Sequence, residues 1–191
     1  AAYPSKGFLC LGMKGTVNDK ACEVIGRIHF AERDGSRTYL WDEWLLLTET
    51  GQYFWIEEEG SKYTLYQVQH PKFPPDRSTF ENNVIQSWGQ ENGAPMGVND
   101  RGAGFIRHLE GELTWRAKIG DCIRYIELRN LGHSYGIEYT DDEIEFFYAK
   151  PLTHDALFQM FNMEEHIAIK EQKAQRRKRG KKLGRQMGCG T

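Results

Sequence analysis

The chain has 191 residues, 39% of them apolar and 27% charged, enough for one domain with a hydrophobic core or for one domain with an appendage. Four widely spaced cysteines (Cys10, Cys22, Cys122 and Cys189) form no C-x-x-C pair, which argues against a cysteine metal site and a disulfide framework and for a reducing compartment. The net charge of −2 hides an asymmetry: from Glu164 onward there are nine Lys or Arg against three Glu, so the body is acidic and the tail basic.

Residues 21–68 alternate as strands do. In Cys22–Phe30 the set Cys22, Val24, Gly26, Ile28 and Phe30 forms one apolar face, with Glu23, Arg27 and His29 opposite. Asp34-Gly35 marks a tight hairpin connection. The next strand, Tyr39–Thr48, is apolar on both faces and therefore central. Short links lead to strands Tyr53–Glu58 and Tyr63–Val68, completing a four-stranded meander. Three of the five tryptophans (Trp41, Trp44 and Trp55) fall within fifteen residues of this block, interleaved with acids.

From Gln69 to Gly104 the texture changes, with four of the six prolines and five glycines. It reads as a long loop, with one short strand at Glu81–Trp88, and glycine-rich Gly97–Gly104 reads as loop too. Strand character returns at Phe105–Leu109, Glu112–Arg116, Asp121–Leu128, Tyr135–Tyr139 and Glu143–Tyr148. A helix starts at Pro151-Leu152-Thr153, with Thr153 as N-cap and Asp155 favourable to the dipole. Its residues Leu157, Met160, Phe161, Met163 and Ile167 fall near helical spacing, a stripe that would pack on the sheet. The expected architecture is mostly β: an antiparallel β-barrel, or two packed antiparallel sheets, with a C-terminal α-helix. The divisions are a disordered start at 1–7, a β domain at 8–152 and a helix with a basic tail at 153–191.

Three groups of residues are candidates for chemistry. Asp42 and Glu43 point to opposite faces of their strand, each between large apolar groups. A buried carboxylate needs a partner, and Arg27 on the neighbouring strand is the natural one, giving a structural ion pair among Arg27, Asp42 and Glu43; the other reading is a functional acid with a raised pKa. Glu143 and Glu145 share a strand face beside Glu138 on the preceding strand. These three read as a solvated face or, more sharply, as an acidic pocket for a polycation such as a polyamine. A hydrolase using these carboxylates has no nucleophile or base that can be named. The scattered histidines and the absence of nucleotide-binding and hydrolase motifs leave no metal or cofactor expected.

The basic tail, with Lys173, Arg176, Arg177, Lys178, Arg179, Lys181 and Lys182, admits three readings: a solvated helical extension, contact with an anionic membrane surface, or contact with a nucleic-acid or acidic protein partner. Nucleic acid is disfavoured at the tryptophan block, whose neighbours are acidic. No apolar run is long enough to span a membrane and no signal peptide is visible. The chain lacks an initiator Met and stops abruptly at Met187-Gly188-Cys189-Gly190-Thr191, as a piece excised from something longer would; that leaves room for a transmembrane segment after Thr191.

The block Trp41-Asp42-Glu43-Trp44-Leu45-Leu46-Leu47, with Gly12-Met13-Lys14-Gly15 and Cys22–Arg27 before it and Tyr53-Phe54-Trp55-Ile56-Glu57-Glu58 after it, resembles a bacterial domain-of-unknown-function family, number 4178. Gly111–Trp115 and the acid-rich Ile137–Phe146 are similar to that family's second half, so the resemblance covers about residues 9–160. Trp44 stands where the family more often has Tyr. The resemblance implies no enzymatic activity. It implies proteins that accompany small membrane proteins, phage-shock-type proteins and polyamine-synthase-like enzymes, with longer members anchored in the membrane. The leading expectation is a non-enzymatic binding or scaffold module of a membrane-associated complex, cytoplasmic and tethered at the inner face of the membrane. A small-molecule-binding barrel is the alternative.

Overall fold

The structure is a computed structural model that describes residues 7–71, 74, 76–78, 96–130 and 132–163. The strand expected at Glu81–Trp88, the Ile167 end of the helical stripe and the basic residues Lys173–Lys182 lie outside the described residues.

Nine strands are described: β1 (Lys14–Val17), β2 (Lys20–Asp34), β3 (Arg37–Thr48), β4 (Tyr53–Glu59), β5 (Lys62–Gln69), β6 (Gly97–Gly111), β7 (Cys122–Asn130), β8 (His133–Tyr139) and β9 (Ile144–Leu152). They run in the order β1-β2-β3-β4-β5-β9-β8-β7-β6, and β6 returns to pair with β2. Every pairing is antiparallel. Strands β2 to β9 thus form a closed eight-stranded antiparallel barrel, which leaves no bare sheet edge among them. The expected meander is β2 to β5, and β3 is central, between β2 and β4. Asp34 pairs with Arg37 across the expected Asp-Gly connection.

One expectation needs revision at β2. The register slips between Val24 and Gly26, and this bulge reverses the alternation. Cys22 and Val24 therefore face an outer core, while Ile28 and Phe30 face the interior of the barrel. The single apolar face read from the sequence is two faces, one on each side of the wall.

The outer core holds Trp44, Leu46, Phe54, Ile56 and Leu65, covered by Leu9, Val17, Leu157 and Phe161. The cover includes α1 (His154–Met160), which starts at Thr153; the Thr153 hydroxyl accepts from the Ala156 N–H at 3.1 Å, an N-cap as expected. Pro151 and Leu152 belong to β9 and not to the helix, consistent with proline's missing N–H being tolerated at a strand end. A second outer cluster packs Ile126, Leu128, Ile137, Tyr139 and Phe146 beneath Met96. Inside, Ile28, Leu45, Trp55, Ile106, Ile123 and Phe147 fill one end of the barrel. No helix among the described residues is long and apolar enough to cross a membrane.

Two other expectations fail in β6 and just after it. Gly97–Gly104 is the first half of a fifteen-residue strand and not a loop. Glu112–Arg116 is not a strand: it lies in the connection to β7, whose Leu113, Trp115 and Ala117 pack against the apolar end of the barrel.

Candidate functional site: an acidic lumen

Eight strands make a barrel just wide enough to be filled by side chains or to hold one small ligand. Here the apolar cluster seals one end, and toward the β2–β3 and β4–β5 hairpins the lumen opens into a cavity of about 610 Å³. That size suits a small molecule. Its walls carry aromatic rings from Phe30, Tyr39, Trp41, Tyr66 and Tyr125, set among carboxylates.

Alternation along each strand decides which acids face inward. On β3, Trp41, Glu43 and Leu45 turn to the lumen, whereas Asp42 and Trp44 turn out. On β4, Trp55, Glu57 and Glu59 turn in, and Ile56 and Glu58 turn out. The ladder places Glu43 directly opposite Glu57, so both carboxyl groups come from one cross-strand pair. Glu138 enters from β8, with Tyr125 beside it on β7 and Glu145 beside it on β9. Glu32, Asp34, Glu59, Asp100 and Glu127 complete the acidic lining, and the only basic residues among the described lining are Arg33 and Arg101.

The opposite wall is shaped by glycine. A Cβ on Gly104 would lie 2.7 Å from the Trp41 ring, and one on Gly102 would collide with Glu32 and the Tyr125 hydroxyl. The glycine-rich half of β6 is what gives the cavity its width at that level.

Burial and mutual repulsion set the protonation of this group. Glu43 is held well above the ordinary carboxylate range, first by burial and next by the Glu138 charge; Trp41 Nε1 opposes this by donating to Glu43 Oε1 at 2.8 Å. Glu57 is pushed up to about 7 by burial, then by Glu127 and Glu59, against a hydrogen bond from the Tyr66 hydroxyl at 3.3 Å. Glu138 rises to about 8 through burial, then through Glu145 and Glu57. The Tyr66 and Tyr125 hydroxyls are also raised, chiefly by burial and then by the acids they bond, and so stay neutral donors. Tyr125 donates to Glu32 Oε2 at 2.7 Å.

The expected site residues separate. Glu138 lines the lumen, and Glu145 faces it across the β8–β9 ladder. Glu143 does not join them. It ends an exposed turn before β9, where its N–H donates to Thr140 Oγ1 at 3.1 Å; its charge acts on Glu145, but it does not line the lumen. Arg27 and Asp42 meet on the outer face, Nε to Oδ1 at 2.9 Å, while Glu43 lies across the wall and takes no part in that pair. The outer pair belongs to a larger network. His29 Nδ1 lies 2.9 Å from Asp42 Oδ1, Arg27 Nη1 donates to Glu110 Oε1 at 3.1 Å, and His108 Nε2 lies 2.7 Å from that same oxygen. Beside it, Glu58 accepts from Trp44 Nε1 at 2.9 Å and from the Tyr63 hydroxyl at 3.1 Å.

Sequence reasoning missed Glu57, Tyr66, Tyr125 and Glu127 as lumen residues. A signal was present in the spacing: Trp41 and Glu43, like Trp55 and Glu57, lie two apart and so share a face. Nothing in the spacing tells the lumen face from the outer one.

No curated protein and no solved structure matches this chain. The model of one family does match, over residues 11–154 and therefore over the whole barrel, and the chain belongs to that family, described as a domain of unknown function (DUF4178).

Proposed function

We propose that the protein is a binding module that takes a small organic cation into the lumen of its barrel. The observation that carries this reading is the convergence of Glu43, Glu57 and Glu138 on a one-ended cavity whose walls also present Trp41, Tyr66 and Tyr125. Carboxylates attract an ammonium group by charge, and aromatic faces attract it through the ring quadrupole, most strongly where water is excluded. Among the described residues no group of three or more His, Cys, Asp or Glu is placed to hold a metal ion, which favours a ligand broader than a bare ion. A linear polyamine fits this chemistry, since acids line both the depth of the lumen and its mouth.

Calorimetric titration with spermidine tests the reading. The account expects heat that weakens as salt is raised, because added ions screen the attraction. Glu43→Gln/Glu138→Gln should weaken binding by more than tenfold, the equivalent of about 1.4 kcal/mol. The absence of a saturable, salt-sensitive heat in the wild type would remove the idea.

The basic segment from Lys173 to Lys182 supports a separate proposal, that the barrel is brought to an anionic membrane surface. Deleting residues 170–185 should abolish sedimentation with vesicles containing anionic lipid while leaving the barrel folded; unchanged sedimentation would reject that role.

A further inference from the structure

The deep carboxyl groups meet one another sooner than they meet any cation. Glu43 and Glu57 are opposed across the β3–β4 ladder, and Glu138 is opposed by Glu145 across β8–β9. Protein encloses the Glu138 carboxyl group except toward the lumen, and among the described residues no hydrogen-bond donor reaches it.

The other walls do not supply a counter-charge at this depth. From β2, Glu32 adds another acid, already engaged by the Tyr125 hydroxyl and the Ala103 N–H. Hydroxyls come from Tyr39 on β3, Tyr66 on β5 and Tyr125 on β7, while Glu127 on β7 and Glu59 on β4 act against the charge of Glu57. Arg101 of β6 and Arg33 of β2 line the cavity too, but neither acts on the charge of Glu43, Glu57 or Glu138. After β5, His70 favours the charged form of Glu145 but does not act on Glu43, Glu57 or Glu138. Carboxylates confined together in this way cannot all be ionised at once.

We infer that the ligand-free lumen holds protons on the Glu43–Glu57–Glu138 cluster, and that an ammonium ligand enters by displacing them. Uptake of the cation and release of a proton are then one event. This deepens the reading proposed above and rests on it. The balance is simple: a carboxyl O–H bond breaks, its proton passes to water, and the carboxylate left behind accepts a hydrogen bond from the ammonium N–H. No other covalent bond changes, and each ammonium group that displaces a proton brings in one positive charge for the one that leaves; the further ammonium charges of spermidine are met by acids already ionised toward the mouth. The value of about 8 keeps the Glu138 carboxyl group largely neutral near pH 7, and that of about 7 leaves Glu57 divided between its two forms. Acidification should therefore weaken binding, by about tenfold per pH unit for each proton exchanged.

The test is titration of the full chain with spermidine near pH 7 in two buffers, one of low and one of high ionisation enthalpy. The difference in heat counts protons. The expected count is about one released per spermidine bound, falling by half or more in Glu138→Gln, whose amide cannot hold the proton. In parallel, the infrared band of neutral carboxyl groups should be present without ligand and shrink as spermidine is added. Equal binding heats in the two buffers, or a band that spermidine leaves unchanged, would overturn the exchange while the cation reading stood. No heat in either buffer and no shift in melting temperature would overturn both.

Discussion

Asp42 and Glu43 are adjacent in the chain and live in opposite electrostatic worlds. Asp42 turns outward, is buried, and is held by Arg27 and His29 at 2.9 Å each. Glu43 turns inward, where Glu138, Glu57 and Asp42 itself repel its charge and a lone indole N–H supports it. One strand thus carries a satisfied structural charge on one face and, on the other, a carboxyl group whose charge finds no partner. Asp42 comes with its guanidinium; the deep acids of the lumen have no such partner, and a ligand is the natural source of what they lack.

The comparison can be broken from either side, and the largest effect should come from the outer face. Arg27 is 2% exposed and bonds both Asp42 and Glu110. Arg27→Met should cost roughly 3–5 kcal/mol by stranding a buried carboxylate, as read from urea unfolding. Glu43→Gln, one residue from Asp42, should be neutral or stabilising, because an amide replaces a carboxyl group whose charged form is disfavoured there and its oxygen can still accept from the Trp41 indole. A comparable loss in both variants would erase the distinction.

Next in size is the wall opposite. Gly104→Ala sets a methyl group 2.7 Å from the Trp41 ring, so the ring must move; overpacking of this kind costs about 1–3 kcal/mol. The same variant should shift tryptophan emission and narrow the site for spermidine.

The two faces should also differ in their pH dependence. The carboxyl groups of Glu57 and Glu138 are raised in the folded state to about 7 and about 8, so the folded protein binds more protons than the unfolded chain between about pH 4.5 and those values. Their stabilising contribution is complete below that window and is lost as pH rises through it. Glu138→Gln should flatten the decline and leave the variant more stable than wild type above about pH 8, as melting temperatures across the range would show. A small control lies outside both regions: Thr153→Ala removes the cap of α1 and should cost about 1 kcal/mol, with spermidine binding unaffected.

Much of the barrel could be read from the chain because alternation is a local property. The meander β2–β5, the Asp-Gly hairpin and the Thr153 cap all follow from neighbours in sequence. What escaped depends on distant partners. The first half of β6 resembled a loop because its inward positions at Gly102 and Gly104 are occupied by side chains from β2, β3 and β7, leaving no apolar face to detect. The bulge at Val24–Gly26 split one apparent face into two; Gly26, a glycine inside a strand, was the local signal for it, but it was counted with the apolar face. Glu112–Arg116 alternates like a strand, yet its Leu113 and Trp115 serve to close the barrel end. For the site, Glu138 was in view, while Glu43 was read with its sequence neighbour and not with Glu57 opposite. Alternation gives two faces, and only closure of the barrel says which one is the lumen.

The deep acids of the lumen lack a counter-charge that a cation can supply. The most direct measurement is a pH titration of the glutamate carboxyl carbons by NMR, with and without spermidine. The account predicts carboxyl groups titrating near 7 for Glu57 and near 8 for Glu138 in the free protein, each moving down when spermidine is bound. Titration of these residues with the ordinary surface carboxylates, unchanged by spermidine, would contradict it.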